Sequence, residues 1–139
     1  MKLNHDCIRA ILCHIESTTN ITVSENGVEI DPIPIEAFYK GLPKFDKANI
    51  YYSLCILEDV GFIVAASQYG DDGISDFLVE RMTYEGHEYL ESIRDAKTWA
   101  SVKKALGKIG NASLNVISAI AEGITSAAID KYLKGELTI

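Results

Sequence analysis

The side chains with the richest chemistry lie in residues 81–99, RMTYEGHEYLESIRDAKTW, where His87 stands between Glu85 and Glu88. An imidazole among carboxylates is suited to acid–base catalysis or to metal binding. Metal ligands on one helix face recur three or four residues apart, and from His87 those positions hold Tyr84 and Glu91, with no second histidine. HEYLE therefore fails the HExxH arrangement. His87 is expected to be structural, packed beside a hairpin or paired with a carboxylate. Cys7, Cys13 and His14 share a helical stretch, but Cys7 and His14 are seven apart and no further ligand accompanies them. They read as core residues. Gly70, Gly73 and Gly86 match no phosphate-cradling spacing. The chain is thus expected to be no enzyme and to carry no metal or cofactor.

The elements that would position a surface follow from periodicity. Residues 4–17 place Cys7, Ile8, Ile11, Leu12 and Ile15 on one helical face, with Asn4 as cap. Residues 21–30 alternate apolar and polar on both sides of Asn26-Gly27, which predicts two short strands or extended arms joined by a tight turn there, since both turn residues tolerate positive φ. Pro32 and Pro34 forbid a regular element across them. Residues 35–39 suggest a helical turn. Residues 45–60 form a second strong helix, capped by Asp46, with Ile50, Leu54, Leu57 and Cys55 buried and Gly61 as its left-handed terminator. A β-hairpin follows, residues 62–66 and 75–82, in which Phe77, Val79 and Arg81 alternate against Leu78, Glu80 and Met82. Thr83 caps a helix through Ile93. Asp95 caps the next, with Trp99, Val102 and Leu106 inward and Gly107 and Gly110 loosening its end. Residues 112–133 read as one long, nearly uncharged helix.

This order is that of an α+β chain: a winged helix-turn-helix core with a β-hairpin wing (residues 1–95), then a C-terminal helical extension (residues 96–139) for packing or oligomerisation. At 139 residues and 47% apolar content the chain can bury a sizeable core. Three cysteines without CxxC spacing suggest reduced thiols in a cytoplasm. Met1-Lys2-Leu3-Asn4 leads straight into helical sequence, so secretion is not expected.

A winged helix that reads DNA would place residues 46–60 in the major groove and the hairpin tip on phosphates. Here Lys47 faces Asp46, Glu58 and Asp59, and the tip offers Asp71 and Asp72. Residues 1–82 hold six Lys and Arg against thirteen Asp and Glu, so the whole net charge of −7 lies there. Such a surface repels phosphate. Lys44, Lys47, Asn49, Tyr51, Tyr52, Asp71 and Asp72 are the candidate surface, in which Asn49, Tyr51, Tyr52 and Ser53 would be the polar readers. A protein partner, self or host, is expected to meet it, since interfaces favour tyrosine. In the sharper form, Asp71, Asp72, Asp76 and Glu80 stand in for phosphates on a host nucleic-acid-binding protein. A sequence-specific DNA-binding regulator using Lys44, Lys47, Asn49 and Tyr52 is the alternative. A third reading is an oligomer that sequesters a ligand between subunits.

The runs MTYEGHEYLESIRDAKTW, MKLNHDCIRAILCHIES and LEDVGFIV resemble a family of bacterial and prophage proteins catalogued as domain of unknown function 2513. The resemblance covers roughly residues 1–110. It implies a winged-helix-like fold and a mobile-element association, with no catalytic residues to carry over. In the C-terminal helix, Leu114, Ile117, Ala121, Ile124 and Ala128 recur at alternating three- and four-residue spacing, which fits self-association. Its polar positions and lack of flanking aromatic residues argue against a membrane span.

Overall fold

The computed structural model describes residues 1–69, 75–110 and 112–123. The chain is α+β, with a two-stranded and a three-stranded antiparallel sheet. It divides into two compact units, Asn4–His87, and Glu88 onward together with Met1–Leu3.

In the first unit, α1 (His5–Thr18) starts where Asn4 Oδ1 accepts from the Cys7 N–H at 3.0 Å. It stops where the backbone N–H and the hydroxyl of Thr19 both turn onto the Ile15 carbonyl, at 2.9 and 2.7 Å. The expected face, Cys7, Ile8, Ile11, Leu12 and Ile15, is fully buried. Each such side chain contributes about 1.5–3 kcal/mol of burial. α2 (Ile35–Gly41) and α3 (Lys47–Asp59) pack on one another and on α1. Asp46 caps α3 through the Asn49 N–H at 2.7 Å, and Gly61 follows its end at φ +78°. The buried row of α3 is Ile50, Ser53, Leu54 and Leu57. Ser53, only 2% exposed, takes the core position expected for Cys55, because three- and four-residue steps from Ile50 pass through 53 and not 55. Its hydroxyl is satisfied by the Cys7 thiol, whose pKa burial pushes up.

The three-stranded sheet has the order β3-β5-β4, from β3 (Ile33–Pro34), β4 (Ile63–Tyr69) and β5 (Ser75–Met82). Against expectation, Pro34 takes part, opposite Leu78. A two-residue edge strand tolerates the missing N–H. The alternation expected along β5 also fails past Val79. Val64 pairs with Arg81 but Ala65 with Val79, so Glu80 is an extra residue in the ladder. One inserted residue reverses the side-chain parity. Arg81 therefore points out and Met82 joins Phe77 and Val79 in the core.

The hairpin of β1 (Ile21–Ser24) and β2 (Gly27–Ile30) turns at Glu25-Asn26, one residue earlier than Asn26-Gly27, and Gly27 alone takes positive φ, +117°. Pairing within the hairpin is regular, yet its strands are exposed.

The junction at Thr83 is tightly bonded. The Thr83 hydroxyl donates to the Gly61 carbonyl at 2.6 Å and accepts from the Gly86 N–H at 3.1 Å, capping α4 (Tyr84–Ile93). The Thr83 N–H donates to the Phe62 carbonyl at 2.9 Å.

In the second unit, Asp95 caps α5 (Ala96–Ile109) through the Thr98 N–H at 2.9 Å. Trp99, Val102 and Ala105 are buried; Leu106, expected inward, is half-buried. Gly107 lies within the helix, and Gly110 at φ +84° ends it. α6 (Leu114–Ala121) packs on α5. The long helix expected over residues 112–133 stops at Ala121, where Gly123 takes φ +104° and its N–H turns back to the Ile120 carbonyl. A left-handed glycine closes the helix. Among the described residues no helix is long and apolar enough to cross a membrane.

Candidate association surface

The expected DNA-facing residues gather on and beside α3 but present little free positive charge. Lys44 Nζ lies 5.6 Å from the Phe45 ring centroid, and Lys47 Nζ lies 5.3 Å from that of Tyr39. Both lysines are exposed, yet each ammonium rests on an aromatic face of its own chain. Asn49 is half-buried with its N–H bound by Asp46. Tyr51 meets Phe77 edge-on at 6.1 Å and bonds the Cys55 thiol, whose pKa burial nevertheless raises. Ser53, offered as a polar reader, is buried. The outward row of α3 is Ala48, Tyr52, Cys55, Ile56 and Asp59, exposed or half-buried, with no cation among them. Asp71 and Asp72 lie outside the described residues.

A second surface was read only as architecture. Ile21, Val23, Val28 and Ile30 are paired across β1 and β2, Ile21 with Ile30 and Val23 with Val28, so all four share one face of the hairpin. Ile21, Val23 and Val28 are 49%, 73% and 64% exposed. Ile30 continues into an open groove of about 240 Å³ with Pro32, Val64, Ala65, Ala66, Leu78 and Glu80. The outer face of the β4–β5 pair is thus apolar, and Leu78 is 39% exposed. Period-two alternation was the available signal; what it lacked was a covering layer.

His87 is exposed on α4 beside Glu88, and so is not packed beside the hairpin, the first of the two structural roles expected of it. Cys7 is buried and Cys13 and His14 half-buried; His14 stacks at 5.2 Å on Phe38, and all three thiols are free. Among the described residues no group of three His, Cys, Asp or Glu stands close enough to hold a metal ion. Leu114 and Ile117 are buried within their own unit and Ala121 half-buried, while Ile124 and Ala128 lie outside the described residues. Among the described residues the cation-rich element is α5, where Lys97, Lys104 and Lys108 are exposed along one helical row that holds no acid. Sequence reasoning missed this row because it looked for cations on α3 and the hairpin.

The geometry is that of a small α+β protein with an apolar, acid-flanked surface. The family described as "Hypothetical protein (DUF2513)" matches residues 2–112, and the chain belongs to that family. It is 30% identical over 127 residues to an "Uncharacterized protein" of Haemophilus influenzae, covering 91% of this chain and 97% of that protein. No solved structure matches the chain.

Proposed function

We propose that this chain is a non-enzymatic winged-helix module that works by protein–protein association. The order α1, β3, α2, α3, β4, β5, α4 and the sheet order β3-β5-β4 support a winged helix, with the β1–β2 hairpin inserted after α1 and β4–β5 as the wing. The observation that carries the function is the outward row of α3, where a DNA reader needs cations and this chain presents Ala48, Tyr52, Cys55, Ile56 and Asp59. The module acts in the cytoplasm, which three unpaired thiols favour. It is oligomeric or bound to a host protein, in keeping with the mobile-element association of its resemblance. Light scattering and crosslinking of the full chain test association. A duplex-DNA mobility shift at moderate salt that Lys47→Glu abolishes would overturn the reading.

A second reading is favoured by α5. Lys97, Lys104 and Lys108 suit a phosphate backbone, which would make the protein a DNA-binding regulator through its second unit. A DNA shift lost on replacing these three lysines by glutamate, and kept in Lys47→Glu, would select it.

A further inference from the structure

We infer that the apolar face of residues 21–32 and the adjoining β4–β5 surface accept an extended, cationic segment of a partner protein, which adds to the open edge of β4. This rests on the association reading and names the class of partner. Three observations on one unit carry it. In the order β3-β5-β4, β4 is terminal, and among the described residues no strand pairs with its outer edge. Unpaired strand edges are templates for strand addition, in which backbone hydrogen bonds supply affinity and side-chain pockets supply selection. On the face of the same sheet, the groove of Ile30, Pro32, Val64, Ala66 and Leu78 runs from residues 30–32 across β5 to β4. At about 240 Å³ it falls below the roughly 300–1,000 Å³ of small-molecule pockets and suits a large aliphatic side chain.

Charge selects the occupant. From residue 10 to residue 39 the chain holds no Lys or Arg, so the hairpin brings no cation to this face. Glu80 lines the groove and Asp76 is exposed further along β5. The nearby cation, Arg81, turns along its own strand toward the Met82 carbonyl at 3.4 Å. A second copy laid on this face would set the same acids against each other. A partner strand with Val or Ile on one side and Lys or Arg on the other meets apolar groups with apolar groups and carboxylates with cations.

The test titrates the full chain with a short peptide alternating lysine and valine, followed by backbone and methyl NMR shifts. Its controls alternate glutamate with valine and lysine with serine. The expected result is binding of the lysine–valine peptide, with shifts at Val64, Ala66, Leu78 and Ile30. Each control should bind at least about tenfold more weakly. Leu78→Asp and Glu80→Lys should weaken the lysine–valine peptide by a similar factor. Val28→Lys, on the exposed hairpin, serves as an independent variant if either of those lowers the melting temperature. Equal binding of the glutamate–valine peptide, or shifts confined to α3 or α5, would overturn the proposal. Self-association abolished by Leu78→Asp would overturn it in favour of a second copy. Association that Leu78→Asp, Glu80→Lys and Val28→Lys all leave intact would sink this surface and spare the function, whereas the Lys47-dependent DNA shift would sink the function itself.

Discussion

Replacing Gly86 by alanine is expected to damage the fold, although alanine is the better helix former. A Cβ at Gly86 would overlap the Phe62 carbonyl oxygen and lie 2.6 Å from Met82 Cγ and 3.1 Å from the Phe62 carbonyl carbon. The methionine end can swing aside. The carbonyl cannot, since Phe62 is fixed by its N–H to Leu57 at 2.9 Å and by the Thr83 N–H on its oxygen. Relief must come from lifting α4 off the β4 entrance, which also strains the Thr83 hydroxyl between Gly61 and Gly86. Overpacking of this kind costs about 1–3 kcal/mol, and a lost backbone hydrogen bond adds about 1 kcal/mol. The gain in helix propensity returns at most about 1 kcal/mol. The net loss is about 2 kcal/mol, a fall of about 5–10 °C in Tm for a chain of this size. Gly107→Ala is the matched control, because Gly107 lies within α5 and a Cβ there meets nothing within 4 Å. It should gain about 0.5–1 kcal/mol. Urea denaturation of both variants decides the matter. If Gly86→Ala is as stable as Gly107→Ala, α4 does not rest on the Phe62 carbonyl and the packing argument is wrong.

Further outcomes follow from other contacts. Asp46→Ala should cost about 1 kcal/mol through the lost cap on Asn49, measured by urea titration, while Asp46→Asn should restore most of it. Asp95→Ala should cost a similar amount, since Asp95 accepts from both the N–H and the hydroxyl of Thr98. Burial holds the Tyr89 phenol neutral and raises its pKa well above the ordinary tyrosine value. Because the folded value lies above the unfolded one, this stability is complete below about pH 10 and is lost as pH rises, by about 1.4 kcal/mol per pH unit. Tyr89→Phe should flatten the decline in urea midpoint above about pH 10 relative to the parent chain.

Helix positions were legible because capping and three-to-four spacing are local. Asn4, Asp46, Thr83 and Asp95 each occupy the cap that their side-chain oxygen implies. The failures came where a distant constraint outranked a local one. Nothing local marks Glu80 as a bulge, since ERM continues the alternation; the ladder with Val64 and Ala65 imposes it. Ser53 looked like a surface reader because its partner, the Cys7 thiol, is on another helix. The long C-terminal helix was overextended because apolar residues flank Gly123, whose positive φ ends α6 regardless of hydropathy. For the candidate site, composition showed which residues lack cations but not which apolar residues lack a cover.

That distinction bears most directly on the β1–β2 hairpin. Ile21, Val23, Val28 and Ile30 have the alternation of a half-buried strand pair, and the same pattern in β5 buries Phe77 and Val79. Alternation specifies that one face is apolar; a second layer must exist before burial follows. If the β1–β2 face is open, replacing Val23 and Val28 by threonine keeps strand propensity and removes no core contact. The double variant should then change stability by no more than about 0.5 kcal/mol, as at other exposed positions. It should at the same time weaken binding of the lysine–valine peptide. A loss of about 2 kcal/mol or more, with cavity-like destabilisation of the whole unit, would mean that this face is part of the core. The hairpin would then be structural, and the partner surface would have to be sought on α3.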